Sequence, residues 1–127
     1  MTNTKLPDAE LHVMQAIWQM AVPVTIGGVL AALRPEKDWK PQTLTTLFTR
    51  LVARGLLRKE GEGKGREHKY YPLLTQEEYL RRETERFIEH THEGSVLSLI
   101  ASLRGAKMSA QELEELRDFV KQSLEGS

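Results

Sequence analysis

Residues 41–71 hold the pattern that most restricts what this chain can fold into. Leu44, Leu47, Phe48 and Leu51 recur at i, i+3, i+4 and i+7, the spacing of one buried face of a helix. Pro41 is tolerated at the first helical position, whose amide has no partner in any case. Gly55 supplies a C-terminal stop. Directly afterwards, Leu56-Leu57-Arg58-Lys59-Glu60 and His68-Lys69-Tyr70-Tyr71 read as two strands around the polar, glycine-rich tip GEGKGRE. Pro72 limits the second strand, because it cannot donate to a ladder.

Two helices precede this unit. Asp8 is placed to cap the first, which runs to about Met20 on Leu11, Met14, Ile17 and Trp18. Pro23 ends it, and Thr25 caps a second helix with Ile26, Val29, Leu30 and Leu33 on its apolar face. Gly27 and Gly28 are costly in a helix, so that element depends on packing. Arg34-Pro35 closes it.

After the hairpin, Thr75 and Glu78 form a T-x-x-E capping box for a helix to about Thr91, with Tyr79, Leu80, Phe87 and Ile88 as its few apolar positions. Gly94 breaks it. Val96, Leu97, Leu99, Ile100 and Leu103 form a short apolar helix that ends before Gly105. Ser109 and Glu112 make a second capping box, with Met108 placed to staple against Leu113. The last helix carries Leu113, Leu116, Val120 and Leu124 on one side.

The expected fold is mainly α with a small β-hairpin: a winged helix-turn-helix over residues 1–74, followed by a three-helix dimerisation region over residues 75–127. The first part can form a core alone. The second has isolated apolar stripes and neither metal nor disulfide to staple them, which is marginal for about fifty residues. A second copy of the chain is the expected remedy, with Phe87, Leu97, Ile100, Leu103, Leu113, Leu116 and Val120 as the pairing positions. The alternative is a tail folded back on its own first domain.

Formal net charge is zero, yet its distribution is uneven. Residues 34–69 carry ten Lys/Arg against five Asp/Glu. Residues 76–93 carry three against six, and residues 107–127 three against five. A basic middle and an acidic tail imply anion binding in the middle; the other reading is an unevenly charged solvated surface. The face of helix 41–54 opposite its leucines presents Gln42, Thr46, Thr49, Arg50 and Ala53, with Thr43 and Thr45 on the flanks. It is polar, short-chained and free of acids, as a major-groove helix requires. Arg50 is better placed for a phosphate than a base. Trp39 is a core plug, a brace against the sugar-phosphate backbone, or both. Lys64 and Arg66 at the hairpin tip are candidate wing contacts, or part of a solvated turn that touches nothing.

The run KDWKPQTLTTLFTRLVARGLLRKE, the opening PDAELHVMQAIW and the tail MSAQELEELRDFV resemble the BlaI/MecI family of penicillinase and methicillin-resistance repressors, over roughly residues 7–124. The W-x-P-x-T-[LI]-x-T-L-x-x-R-L pattern is specific. The resemblance implies a winged-helix homodimer that binds palindromic operator DNA and blocks transcription. Carried onto matching positions, it puts Gln42, Thr43 and Thr46 on bases, and Lys40, Thr45, Thr49, Arg50, Lys64 and Arg66 on the DNA backbone. Family members often carry lysine at the position of Gln42, so the operator sequence is expected to differ: Gln favours adenine and Lys guanine. Inducible members are cut at an Asn-Phe bond in the dimerisation region. The aligned bond here is Ser102-Leu103, so the site for a sensor protease is altered. Copper-responsive members carry a C-terminal cysteine cluster, and this chain has no cysteine.

No catalytic constellation stands in the sequence: there is no G-x-S-x-G, no H-E-x-x-H, and GEGKGRE lacks the G-K-[ST] ending of a phosphate loop. Neither enzyme activity nor a cofactor is expected. His90 and His92 sit too far apart around a helix to share a metal, and read as surface residues; at a dimer interface, their protonation would weaken association. No apolar run approaches the roughly 18 residues of a membrane helix, and the first residues lack a signal-peptide core, so the expected address is the cytoplasm. Two rival readings remain open. One is a winged helix docking a protein. The other is a regulator with a small ligand held near Tyr79 and Phe87.

Overall fold

The structure is a computed structural model that describes residues 6–61, 68–103 and 107–125. Its elements are α1 (Asp8–Trp18), α2 (Ile26–Leu33), α3 (Pro41–Ala53), β1 (Leu57–Glu60), β2 (Lys69–Pro72), α4 (Gln76–Thr91), α5 (Val96–Ala101) and α6 (Ala110–Glu125). The chain divides into two compact units, Met1–Arg86 and Phe87–Ser127.

The first unit is a winged helix, with α3 packed against α1, α2 and β1. Its core takes Val13, Met14 and Ile17 from α1, Val29, Leu30 and Leu33 from α2, and Leu44, Leu47, Phe48 and Leu51 from α3. Leu57 and Tyr70 close the hairpin side. Phe48 is fully buried, and Tyr70 meets it edge-on at 4.7 Å between ring centroids. Burial of one such ring stabilises the fold by about 1.5–3 kcal/mol.

Local chemistry fixes the helix ends. Thr25 accepts the amide of Gly28 at 3.0 Å and starts α2. At the end of α3, Gly55 takes φ +81, its amide bonds the carbonyl of Val52, and the amide of Leu56 reaches the carbonyl of Leu51. These are the two bonds of a Schellman stop, and the glycine is what permits its left-handed residue. The expected Asp8 cap is corrected: Pro7 holds the N-cap position of α1 and Asp8 lies inside the first turn, where its charge still complements the helix dipole. α1 also ends at Trp18 rather than Met20, since Gln19 and Met20 bond back only three residues, to Ala16 and Ile17.

β1 and β2 pair antiparallel, with Leu57 opposite Pro72, Arg58 opposite Tyr71, Lys59 opposite Tyr70 and Glu60 opposite Lys69. Val24 adds a bridge that the sequence did not suggest, exchanging both backbone hydrogen bonds with Tyr70. It stitches the segment before α2 to the hairpin. The capping box forms as read: the amide of Thr75 donates to Glu78 and that of Glu78 to Thr75. Trp18 Nε1 donates to the carbonyl of Leu74 at 3.1 Å, and its ring lies 5.6 Å from that of Tyr79, so the start of α4 is seated on α1.

In the second unit, Gly94 adopts φ +79 and ends the path of α4. Ser95 caps α5 by accepting the amide of Ser98, and Ser109 and Glu112 form the second capping box. α5 is shorter than expected, ending at Ala101 and not at Leu103. The Ser102 hydroxyl and amide both turn back onto the carbonyls of the last turn, leaving Leu103 beyond the helix. No described residue of this unit is buried.

Candidate nucleic-acid interface

α3 is sharply two-faced. Leu44, Leu47, Phe48 and Leu51 are buried, whereas Gln42, Thr43, Thr45, Thr46, Thr49 and Arg50 are all exposed. No acidic residue lies between Pro41 and Ala53. Lys40 occupies the N-cap position, is exposed, and offers no side-chain cap to the first turn. The first amides of the helix are therefore left without a side-chain cap at its positive end, where an anion is favoured.

Three threonines of this face share one arrangement. Thr45 Oγ1 donates to the carbonyl of Pro41 at 3.0 Å, Thr46 Oγ1 to that of Gln42 at 3.1 Å, and Thr49 Oγ1 to that of Thr45 at 3.0 Å. Each hydroxyl proton is directed into the helix, and each oxygen keeps its lone pairs for solvent or a ligand. Thr43 makes no such bond, because the residue four before it precedes the helix.

The base of α3 is fixed by an ion pair that sequence reading missed. Arg54 Nε donates to Glu10 Oε1 at 2.6 Å, with the Glu10 side chain 2% exposed and that of Arg54 29%. It ties α1 to the end of α3. Glu10 stands in the first turn of an amphipathic helix, where a carboxylate ordinarily serves the helix dipole, so only its burial gives it away. Trp39 is half-buried and packs against the core, with Lys37 Nζ 5.8 Å from the ring centroid, so it serves in part as a plug.

At the root of the hairpin, the Arg58 guanidinium lies 4.2 Å from the centroid of Tyr71, its cross-strand partner. Glu60 accepts from Arg58 at 3.1 Å and from the Tyr71 hydroxyl at 3.2 Å. Those two hydrogen bonds hold the Glu60 carboxyl below its ordinary range. Desolvation pushes the Tyr70 hydroxyl above its ordinary value. Lys64 and Arg66 of the tip lie outside the described residues.

The positions expected to pair lie in the second unit. Phe87, Leu97, Ile100, Leu103, Leu113 and Val120 are exposed and Leu116 is half-buried. Leu97 is 76% exposed and Phe119, which the stripe of α6 did not suggest, 68%. The Phe87 ring meets His92 edge-on at 5.2 Å, and His92 Nδ1 lies 2.8 Å from Ser98 Oγ. Among the described residues no cluster of His, Asp and Glu gathers to hold a metal, and no helix is long and apolar enough to cross a membrane. A surface depression of about 360 Å³ in the first unit is lined by Trp18, Pro72 to Gln76 and Glu78, and involves neither Tyr79 nor Phe87.

Residues 6–122 match the family described as Penicillinase repressor. The methicillin resistance regulatory protein MecI of Staphylococcus aureus (strain N315) is 28% identical over 117 residues, which cover 91% of this chain and 93% of the relative. The penicillinase repressor of Bacillus licheniformis is 27% identical over 119 residues, covering 93% of this chain and 91% of the relative. The solution structure of the DNA binding domain of the repressor BlaI superposes with a TM-score of 0.50 at 29% identity, covering 61% of this chain and 92% of that one.

Proposed function

The chain belongs to the penicillinase repressor family, and from that membership we propose that it is a homodimeric, cytoplasmic transcriptional repressor that binds a palindromic operator. The observation that carries the reading is the acid-free outer face of α3, held outward by four fully engaged core residues. Each protomer lays α3 in the major groove. Gln42, Thr43 and Thr46 meet base edges, while Lys40, Thr45, Thr49 and Arg50 meet phosphates. The wing, with Lys64 and Arg66, follows the adjacent backbone. Two chains pair through the second unit, so operator symmetry mirrors theirs. Repression follows from occupying the promoter and needs neither catalysis nor cofactor. A sensor protease acting on this chain would meet Ser102 and Leu103 at the exposed C-terminal end of α5.

The reading is tested by selecting duplexes from a random DNA pool with the full chain, then titrating the enriched site. Thr46→Glu places a carboxylate against the groove and is expected to abolish specific binding. Lys64→Ala is expected to weaken all sequences alike and flatten the salt slope by about 1 for each lost phosphate contact. Unchanged operator affinity in Thr46→Glu removes α3 from the groove.

A further inference from the structure

The two turns of α3 that face outward differ in what they can offer a base. Gln42 and Thr43, in the first turn, have side-chain donors and acceptors free of intramolecular bonds, and Gln42 can engage adenine through both its amide groups. In the second turn the protons are committed. Thr46 Oγ1 donates to the carbonyl of Gln42, and its neighbours Thr45 and Thr49 hold the same bond to the carbonyls four residues back. A threonine has two helical χ1 wells because one lets Oγ1 reach that carbonyl. Three threonines of α3 hold that well. While that bond is kept, Thr46 presents an oxygen that accepts and a methyl group, with no outward donor.

Resting on the placement of α3 in the major groove, we propose that Thr46 is an acceptor-only specificity residue that reads a base amino group, N6 of adenine or N4 of cytosine. Guanine presents N7 and O6, both acceptors, and thymine presents O4, an acceptor, beside its methyl. Either would set lone pairs against the Thr46 oxygen. Turning the hydroxyl proton outward, a rotation about Cβ–Oγ1 that leaves χ1 unchanged, gives up the hydrogen bond to the Gln42 carbonyl, a cost that an acceptor contact does not carry. Discrimination by α3 is thus split: the first turn has both hydrogen-bond polarities, while the second selects for donors on the DNA. This makes base polarity at one step of each half-site a consequence of an i to i−4 bond inside the protein.

The experiment is selection from a random duplex pool by the full chain and by two variants, Thr46→Val and Thr46→Ser. Valine keeps the branched shape and removes the acceptor; serine retains the oxygen and its bond to Gln42. Thr46 is exposed, so all three proteins should share one thermal midpoint. The wild-type pool is expected to enrich one base pair at a symmetric step, and removing the amino group that this pair presents in the major groove (purine for adenine, 2-pyrimidinone for cytosine) should weaken the wild type and not Thr46→Val. Thr46→Val should lose that preference and bind the wild-type site roughly 2–10-fold more weakly, as for one net hydrogen bond. Thr46→Ser should restore it. A loss on removing that amino group that is as large in Thr46→Val as in the wild type, or no loss at all, overturns the inference while leaving DNA binding intact. So does a half-site in which no step responds to Thr46→Val. A wild-type pool with no enriched half-site is a different failure, since it overturns the placement of α3 and this inference with it.

Discussion

The two units of this chain use the same ingredients to opposite ends. In Met1–Arg86, amphipathic helices turn their apolar faces onto one another, and Val13, Met14, Ile17, Phe48 and Leu51 reach zero exposure. In Phe87–Ser127, helices with equally clear stripes bury no described residue at all, and Leu97, Leu113 and Phe119 stand more than half exposed. Patterning alone does not close a core; it prepares a face, and closure needs a surface to meet it. The first unit finds that surface within the chain. The second is proposed to find it on another copy.

The largest expected effect breaks the comparison at its strong side. Phe48→Ala leaves a cavity under α3 and should cost about 3–5 kcal/mol by chemical denaturation. Phe119→Ala, the same change on an exposed ring, should leave the first unit's stability unaltered and act only on self-association. Equal destabilisation by the two would mean that the units are not distinct in the way described.

A smaller loss is expected when the tie beneath α3 is cut. Arg54→Ala strands the buried carboxylate of Glu10, and should destabilise the first unit by about 2 kcal/mol, less than for a fully buried pair because Arg54 is 29% exposed. Glu10→Gln keeps an acceptor for Arg54 and should cost less. Equilibrium unfolding of the two variants measures the difference.

The smallest effect sharpens the comparison at the start of α4. Hydrogen bonds from the Thr75 amide and hydroxyl hold the Glu78 carboxyl below its ordinary value of 4.5. A carboxyl whose folded value is depressed contributes stability that is full above the unfolded value and lost as pH falls through the folded one. Helical signal should therefore fall slightly between about pH 5 and about pH 3 in the wild type, and less in Thr75→Ala.

Much of this architecture was legible because it is local. The stripe of Leu44, Leu47, Phe48 and Leu51 gave both faces of α3, and Gly55, Thr75 with Glu78, and Ser109 with Glu112 marked helix ends through bonds spanning three to five residues. What was not legible depends on distance or on rotamer. Glu10 meets Arg54 across 44 residues. Val24, a single residue between Pro23 and Thr25, has no periodicity to announce a strand bridge. The inward donation by Thr45, Thr46 and Thr49 follows from χ1, which composition does not specify. The exposure of Phe119 was missed because it lies outside the stripe of Leu113, Leu116 and Val120.

A second chain that closes the open faces of the second unit would make the full protein a dimer in solution. Sedimentation equilibrium of the full protein at micromolar concentrations tests this without DNA. A species of twice 14.5 kDa is expected, dissociating to 14.5 kDa when Leu97 is changed to Asp while the first unit remains folded. A single 14.5 kDa species for the wild type, with an ordered second unit, would contradict it.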